Sequence, residues 1–306
     1  DQVRRAADGS GRAIIIAEPG LDAEAVARAI HRHGSPDGAP FVVVDCAEAA
    51  PSSVEGALFG RKTGQRTRPS EVLERVTPDC ALRAATGGTL FLANVTDLPA
   101  STQARLARVV RDGEVRLAGA AQIVPVGARL VAACGPTIDT EVAQGGFRAD
   151  LYRRLTAVRV DVPAVRARPE DVPVIARHMM DALAVARGGA ARAFTKAAVA
   201  LLSALPWPGN LRELGDVLAR VAAAAPPGAI RVEDVLAQAG SEWRGTPPPG
   251  GSLREAKRQF EREYIAAVLR QHGWRMGEAA RALGIQRTNL YRKARQLNIP
   301  RVKVTR

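Results

Sequence analysis

Residues 286–295, QRTNLYRKAR, bring together side chains suited to reading a nucleic acid. Gln286 and Asn289 carry amides that can make two hydrogen bonds with adenine, and Arg287 carries a fork that matches guanine. Thr288 and Tyr291 lie among them, and Arg292, Lys293 and Arg295 follow with cations suited to phosphates or to further bases. A second stretch, IIIAEPGLDAEAVARAIHRHG from Ile14 to Gly34, has the order of a phosphate-holding turn. Ile14 to Ile16 predict a buried strand, Pro19-Gly20 a tight turn, and Val26, Ala29, Ile30 and His33 a helix. The turn contains no lysine to meet a phosphate.

The reading side chains need a scaffold, and the chain predicts one. Arg275 to Ile299 predicts a helix, a turn at Gly284 and a second helix, with Ala279, Ala280 and Leu283 packed against Ile285, Leu290 and Leu297. Small alanines let two helices cross closely, and the N-terminal end of the second helix is the end that enters a major groove. Upstream, Ser252 and Glu255 have capping-box spacing, which starts a helix there. Leu253, Ala256, Phe260, Tyr264 and Val268 form a stripe on it, long enough to pair with a partner helix, ending near His272-Gly273. The stretch AGSEWRGTPPPGGS, residues 239–252, holds three prolines and four glycines and reads as a linker.

Charge follows the same division. Residues 251–306 carry 14 basic and 4 acidic side chains, a net of +10 within a chain total of +13. A basic segment with helical patterning and a turn points to nucleic acid. The 306 residues have room for two or three cores, and an apolar fraction of 46% with 25% charged residues is that of a globular protein. No uncharged apolar run reaches the roughly 18 residues of a membrane span. Cys46, Cys80 and Cys134 stand far apart, with neither a disulfide framework nor metal spacing, so a reducing cytoplasm is the expected compartment. The four histidines (His31, His33, His178, His272) predict structural or surface roles. The chain opens Asp-Gln-Val-Arg-Arg and reads as the later part of a longer protein.

From Gly251 onward the chain resembles a Fis-type DNA-binding domain, and as a whole it resembles the NtrC family of bacterial enhancer-binding regulators. The landmarks are VARAIHRHG (26–34), PFVVVDCAEA (40–49), ALFG (57–60), GGTLFL (87–92), FRADLYRRL (147–155), VRARPEDVPVIARH (165–178) and WPGNLREL (207–214). The resemblance implies an α/β fold: an AAA+-like parallel sheet sandwiched by helices, an α-helical lid subdomain and a C-terminal all-α helix-turn-helix domain. The expected divisions are 1–162, 163–238, a linker at 239–252 and 253–306. It also implies an upstream sensor domain outside this chain, DNA as partner, a homodimer or higher oligomer, RNA polymerase as a further contact, and a place in the bacterial cytoplasm on the nucleoid.

Side chains at the family's functional motifs differ. Aligned on VARAIH, its phosphate loop falls on Ala17 to Glu24, with Gly20 kept, Asp22 where a glycine stands and Ala23 where the lysine stands. Its metal-organising Asp and water-activating Glu fall on Ala93 and Asn94. Its sigma-contacting loop falls on Gly64 to Pro69, with Arg66 in place of the exposed aromatic. Arg148 and Arg154 match its arginine fingers and Arg212 its lid sensor, expected here to hold subunit or lid contacts. The expectation is a DNA-binding regulator on a pseudo-ATPase scaffold. It would be no enzyme and no sigma-54 activator, with no catalytic residue, no metal and no ATP or Mg²⁺. The alternatives are an ATP-dependent sigma-54 activator and a nucleotide sensor that does not hydrolyse.

Overall fold

The computed structural model describes residues 2–9, 11–47, 51–60, 73–119, 122–188, 190, 192–224, 228–239, 261–262, 264–266, 268–269, 272–297 and 299. It divides into two compact units, Asp1–Pro163 and Ala164–Arg306.

The first unit is built on a five-stranded parallel sheet of order β2-β4-β7-β1-β8. Its strands are β1 (Ala13–Ile16), β2 (Phe41–Asp45), β4 (Thr89–Ala93), β7 (Arg129–Cys134) and β8 (Val158–Asp161). β1 is buried along its whole length because it lies between β7 and β8, with Ile15 opposite Ala133 on one side and Val160 on the other. A strand covered on both faces has no polar side to alternate, which is why Ile14 to Ile16 run unbroken.

The faces divide by parity. Ile14 and Ile16 pack with Leu106 of α5 (Ala100–Asp112) and with Leu151 and Leu155 of α7 (Ala149–Leu155). Ile15 packs with Ala6 of α1 (Gln2–Asp8) and with Ala27 and Ile30 of α2 (Ala23–Gly34). This bears out the expected α/β layering. A smaller sheet of β3 (Arg75–Val76), β5 (Glu114–Leu117) and β6 (Ile123–Pro125) follows the segment 61–72. The expected sigma-contacting residues Gly64 to Pro69 lie outside the described residues. Short helices α3 (Pro51–Phe59), α4 (Ala81–Ala84) and α6 (Ile138–Ala143) complete the unit.

The second unit begins with α8 (Val172–Ala186), α9 (Lys196–Ala204), α10 (Asn210–Ala224) and α11 (Val232–Gln238). The landmark WPGN is a tight turn into α10. Trp207 (φ 43°) and Asn210 (φ 53°) both take left-handed backbone and both are fully buried. Their polar atoms are satisfied: the Trp207 indole donates to the Leu202 carbonyl at 2.7 Å, and the Val165 amide donates to Asn210 Oδ1 at 3.0 Å. That satisfaction lets so polar a turn sit inside a core.

The last two helices are α12 (Met276–Ala282) and α13 (Arg287–Gln296), joined through Gly284 at φ 66°. Ala279, Ala280, Leu290, Leu297 and Ile299 form a core with Ile265, Val268 and Leu269 of the preceding helical residues. The linker residues 240–252 and the first half of the expected 253–268 stripe lie outside the described residues.

Candidate functional site

Two groups of expected site residues sit in different units. The first lies along the C-terminal edge of the parallel sheet, where open α/β sheets bind ligands. β1 ends at Ile16, and Ala17 continues the pairing by donating its amide to the Cys134 carbonyl at 3.0 Å. The turn then runs through Gly20, whose φ of 84° is left-handed and suits glycine. Asp22 is the N-cap of α2, its Oδ1 accepting from the Ala25 amide at 2.8 Å, and Ala23 is the first helical residue. The Asp22 carboxylate is thus turned onto the helix N-terminus, where capping and the helix dipole both favour it.

Further along the same edge, Ala93 ends β4 and Asn94 turns the chain in left-handed conformation at φ 51°. Asn94 Nδ2 donates to Asp45 Oδ1 at 2.8 Å, and that oxygen also accepts from the Ala47 amide at 3.0 Å. Asp45 is the exposed last residue of β2, in register with Ala93. Sequence reading missed it, although the signal was there: a carboxylate closing the apolar run FVVV at a strand's C-terminal end. The edge thus carries a carboxylate, supplied by β2 and steered by Asn94. The neighbouring thiols are buried. Burial pushes Cys46 up to about 12, helped by the charges of Asp45 and Asp97. Burial likewise pushes Cys134 up to about 12.

The expected finger residues separate. The Arg148 amide donates to Gln103 Oε1 at 2.9 Å, and its guanidinium grips the Asp150 carboxylate through Nε and Nη2 at 3.0 and 2.9 Å. That hydrogen-bonded pairing holds Asp150 below the usual carboxylate range and Arg148 above its own. Arg154 lies at the other end of α7, half-buried, with its charge felt by Arg12 and Asp112. Arg212 is exposed in the first turn of α10.

The second group lies on α13, whose N-cap is Gln286. Leu290 anchors the helix in its core, and Gln286, Arg287, Thr288 and Arg292 are exposed. The Arg287 guanidinium lies 5.7 Å from the centre of the Tyr291 ring, and Arg292 Nη2 donates to Asn289 Oδ1 at 3.3 Å. Lys293 is engaged within the protein, ion-paired with Glu261 from the helical residues ahead of α12. The helix therefore presents an arginine steered by an aromatic ring and an arginine–asparagine pair, both suited to bidentate contacts on base edges. Among the described residues no group of acidic, histidine or cysteine side chains could hold a metal ion, and no helix is long and apolar enough to cross a membrane.

Comparison with known proteins matches three families in order. Residues 1–161 match the Sigma-54 interaction domain, 166–247 the AAA+ ATPase lid domain, and 257–297 the bacterial regulatory protein Fis family. The chain is 34% identical to a Nif-specific regulatory protein of Azotobacter vinelandii over 99% of this chain and 58% of that protein. It is 31% identical to the DNA-binding transcriptional regulator NtrC of Escherichia coli over 94% of this chain and 65% of that protein. Among solved structures it is similar to NtrX of Brucella abortus. The complex with ATP superposes at a TM-score of 0.75 with 31% identity, over 97% of this chain and 66% of that one. The complex with ADP gives 0.74 with 32% identity, over 97% and 67%. The chain spans 58% to 66% of the length of the curated relatives it matches.

Two expectations are corrected by these matches: that the chain is no enzyme, and that neither ATP nor Mg²⁺ belongs to it. The matched domain is a sigma-54 interaction domain followed by an ATPase lid, and the similar structures are of a protein complexed with ATP and with ADP. The expectation counted no carboxylate at the β4 end, and Asp45 brings one there from β2.

Proposed function

The chain belongs to the sigma-54 interaction domain family, and we propose that it is a DNA-binding regulator of sigma-54-dependent transcription whose first unit is an ATP-using AAA+ domain. The observation that carries the reading is the succession of the three matched families along one chain. The divisions at 1–162, 163–238, 239–252 and 253–306 belong to this reading, as do cytoplasmic action on the nucleoid, RNA polymerase as contact and oligomer formation.

The backbone keeps the outline of a phosphate turn: a strand, a left-handed glycine and the N-terminus of a 12-residue helix. The Ala23 and Ala25 amides of its first turn are bonded to the Leu21 carbonyl and the Asp22 carboxylate, and Ala23 brings no cation, so the side chains of this turn do not supply the charge that a phosphate needs. ATP with Mg²⁺, when bound, supplies a phosphoanhydride whose hydrolysis drives work. Asp22 caps the helix beneath it. Asp45 holds a carboxylate at the strand ends, and the Asn94 amide fixes that carboxylate's orientation. Arg148 and Arg154 are then contacts toward a neighbouring subunit, and Arg212, itself on the lid, is a lid contact.

On α13 and its cap, Gln286, Arg287, Thr288, Asn289, Tyr291 and Arg292 form the face toward double-stranded DNA, and the 253–268 stripe pairs two copies. The test is a combined one: footprinting of the chain on genomic DNA, and phosphate release from ATP with and without that DNA. Protected sites together with release above background support the reading. Absence of both overturns it.

A further inference from the structure

The first unit has a cavity of about 320 Å³ at the opposite end of its strands from the nucleotide edge. Its walls are Gly11 and Arg12 ahead of β1, Val109 and Val110 at the end of α5, and Val126 and Leu130 around the start of β7. β1 is four residues long, so its two ends lie roughly 10–13 Å apart. The cavity is therefore separate from the turn that holds phosphate in the proposed function.

Arg12 and Arg129 both line it, the Arg12 guanidinium turned to the α5 face of the sheet and that of Arg129 to the α1 face, and among the described residues neither pairs with a carboxylate. Arg12 Nη2 donates to the Val110 carbonyl at 2.8 Å. Arg129 donates from Nη1 to the Ala7 carbonyl at 3.4 Å and from Nη2 to that of Ala6. These acceptors are the carbonyl ends of α5 and α1, which offer at most about half a negative charge each. Among the described residues Arg12, Arg129 and Arg154 make no salt bridge, and the nearby Asp112 is taken by Arg111 through Nε and Nη2 at 2.7 and 3.1 Å. Arg129 Nε is shut from water without a hydrogen-bond partner. Burial, and next the charge of Arg154, pull Arg12 below its ordinary range, and burial does the same to Arg129. Desolvated cations without a counter-ion are costly unless an anion arrives.

We propose that this cavity binds a small carboxylate with a short apolar body, its anion on Arg12 and its body against Val109, Val110 and Val126. A planar carboxylate matches the guanidinium fork in two parallel hydrogen bonds. The valine walls favour a branched aliphatic group over a bare hydrated ion such as phosphate. The same chemistry has two sources, a free branched-chain acid and the C-terminal residue of a peptide.

The test is calorimetric titration of the full chain with isovalerate, with N-acetylvaline as a mimic of a peptide end, and with inorganic phosphate as control. The expected result is saturable binding of one carboxylate per chain, unchanged by saturating ATP because the two sites lie at opposite strand ends. The tighter of the two carboxylates identifies the source. Arg12→Gln should weaken binding about tenfold or more, the loss expected for a charge-assisted pair. Arg12 also caps α5, so Val126→Glu gives a second arm: it sets a carboxylate at the cavity wall, leaves that cap intact, and should abolish binding. The proposal is overturned if neither carboxylate binds saturably, if phosphate binds as tightly as both, or if binding persists unchanged in the folded variants.

Discussion

The side-chain amide of Asn94 donates to the carboxylate of Asp45 at 2.8 Å, joining the C-terminal ends of β4 and β2 across 49 positions of sequence. A carboxylate steered by an amide at the ligand edge of a parallel sheet is an arrangement suited to orienting water. Asp45→Asn should lower ATP hydrolysis by about a hundredfold or more, the range for a group that handles a proton in the transition state. Nucleotide affinity should change little. Asn94→Ala removes only the steering group and should cost less. Phosphate release and equilibrium binding, measured side by side, check both. A wild-type rate in Asp45→Asn removes that residue from the site.

The cap at Asp22 gives a separate stability prediction. Asp22→Ala leaves the Ala25 amide without its acceptor and should cost about 1 kcal/mol in urea unfolding. Asp22→Asn keeps an acceptor oxygen and should lie close to the parent.

How far the chain could be read depended on the range of each contact. Ile14 to Ile16, the Gly284 turn and the alanine pair at 279–280 were legible because strands, turns and close helix crossings are set by neighbours in sequence. Both Asp22 and Asp45 escaped for one reason: a residue type does not say where its carboxylate points. Asp22 swings onto its own helix, and Asp45 meets a residue 49 positions away through strand pairing. Lys293 was legible as a cation and not as the partner of Glu261, since helix packing brings them together.

A buried clamp joins the two ends of the segment 61–72. Arg105 donates to Glu74 at 3.0 Å and to the Arg75 carbonyl at 3.2 Å on one side. On the other it lies 4.1 Å from the Phe59 ring centre. Glu74 is only 7% exposed and also takes Arg108. Arg105 also pairs with Glu55 at 2.5 Å, so Glu74→Ala leaves it one carboxylate and should cost roughly 1–2 kcal/mol. Arg108→Ala removes a half-exposed partner and should cost under about 1 kcal/mol. Chemical denaturation of the two variants orders them.

The buried thiols set an alkaline limit. Cys46 and Cys134 are raised to about 12 in the fold, against about 8.5 in an unfolded chain. A raised folded value means stability that is complete below the unfolded value and lost as pH climbs through the folded one. Stability should therefore fall between about pH 8.5 and 12, and less steeply in Cys46→Ala/Cys134→Ala. Urea midpoints at pH 7.5 and 10 test this. Native thiols should also resist iodoacetamide at pH 8.

The most detailed prediction concerns α13. Two copies joined through the 253–268 stripe should set their α13 helices in successive major grooves, about 34 Å apart, since a two-fold dimer mirrors its symmetry on the duplex. Arg292 is held by Asn289 at 3.3 Å, so the two should act on the same base step. Asn289→Ala and Arg292→Ala should each cost roughly 1–3 kcal/mol on the preferred site and relax base preference there. Because the residues touch, the double variant should cost less than the sum of the singles. Arg281, exposed on α12, should behave otherwise: Arg281→Ala weakens all sequences alike and reduces the salt slope by about one. Flexible pyrimidine–purine steps between the half-sites should strengthen binding without any side chain touching them, through the lower cost of bending. Footprints of the four variants on a panel of sites, repeated over a salt series, separate the two classes. Unchanged base preference in both Asn289→Ala and Arg292→Ala would place sequence reading on another element.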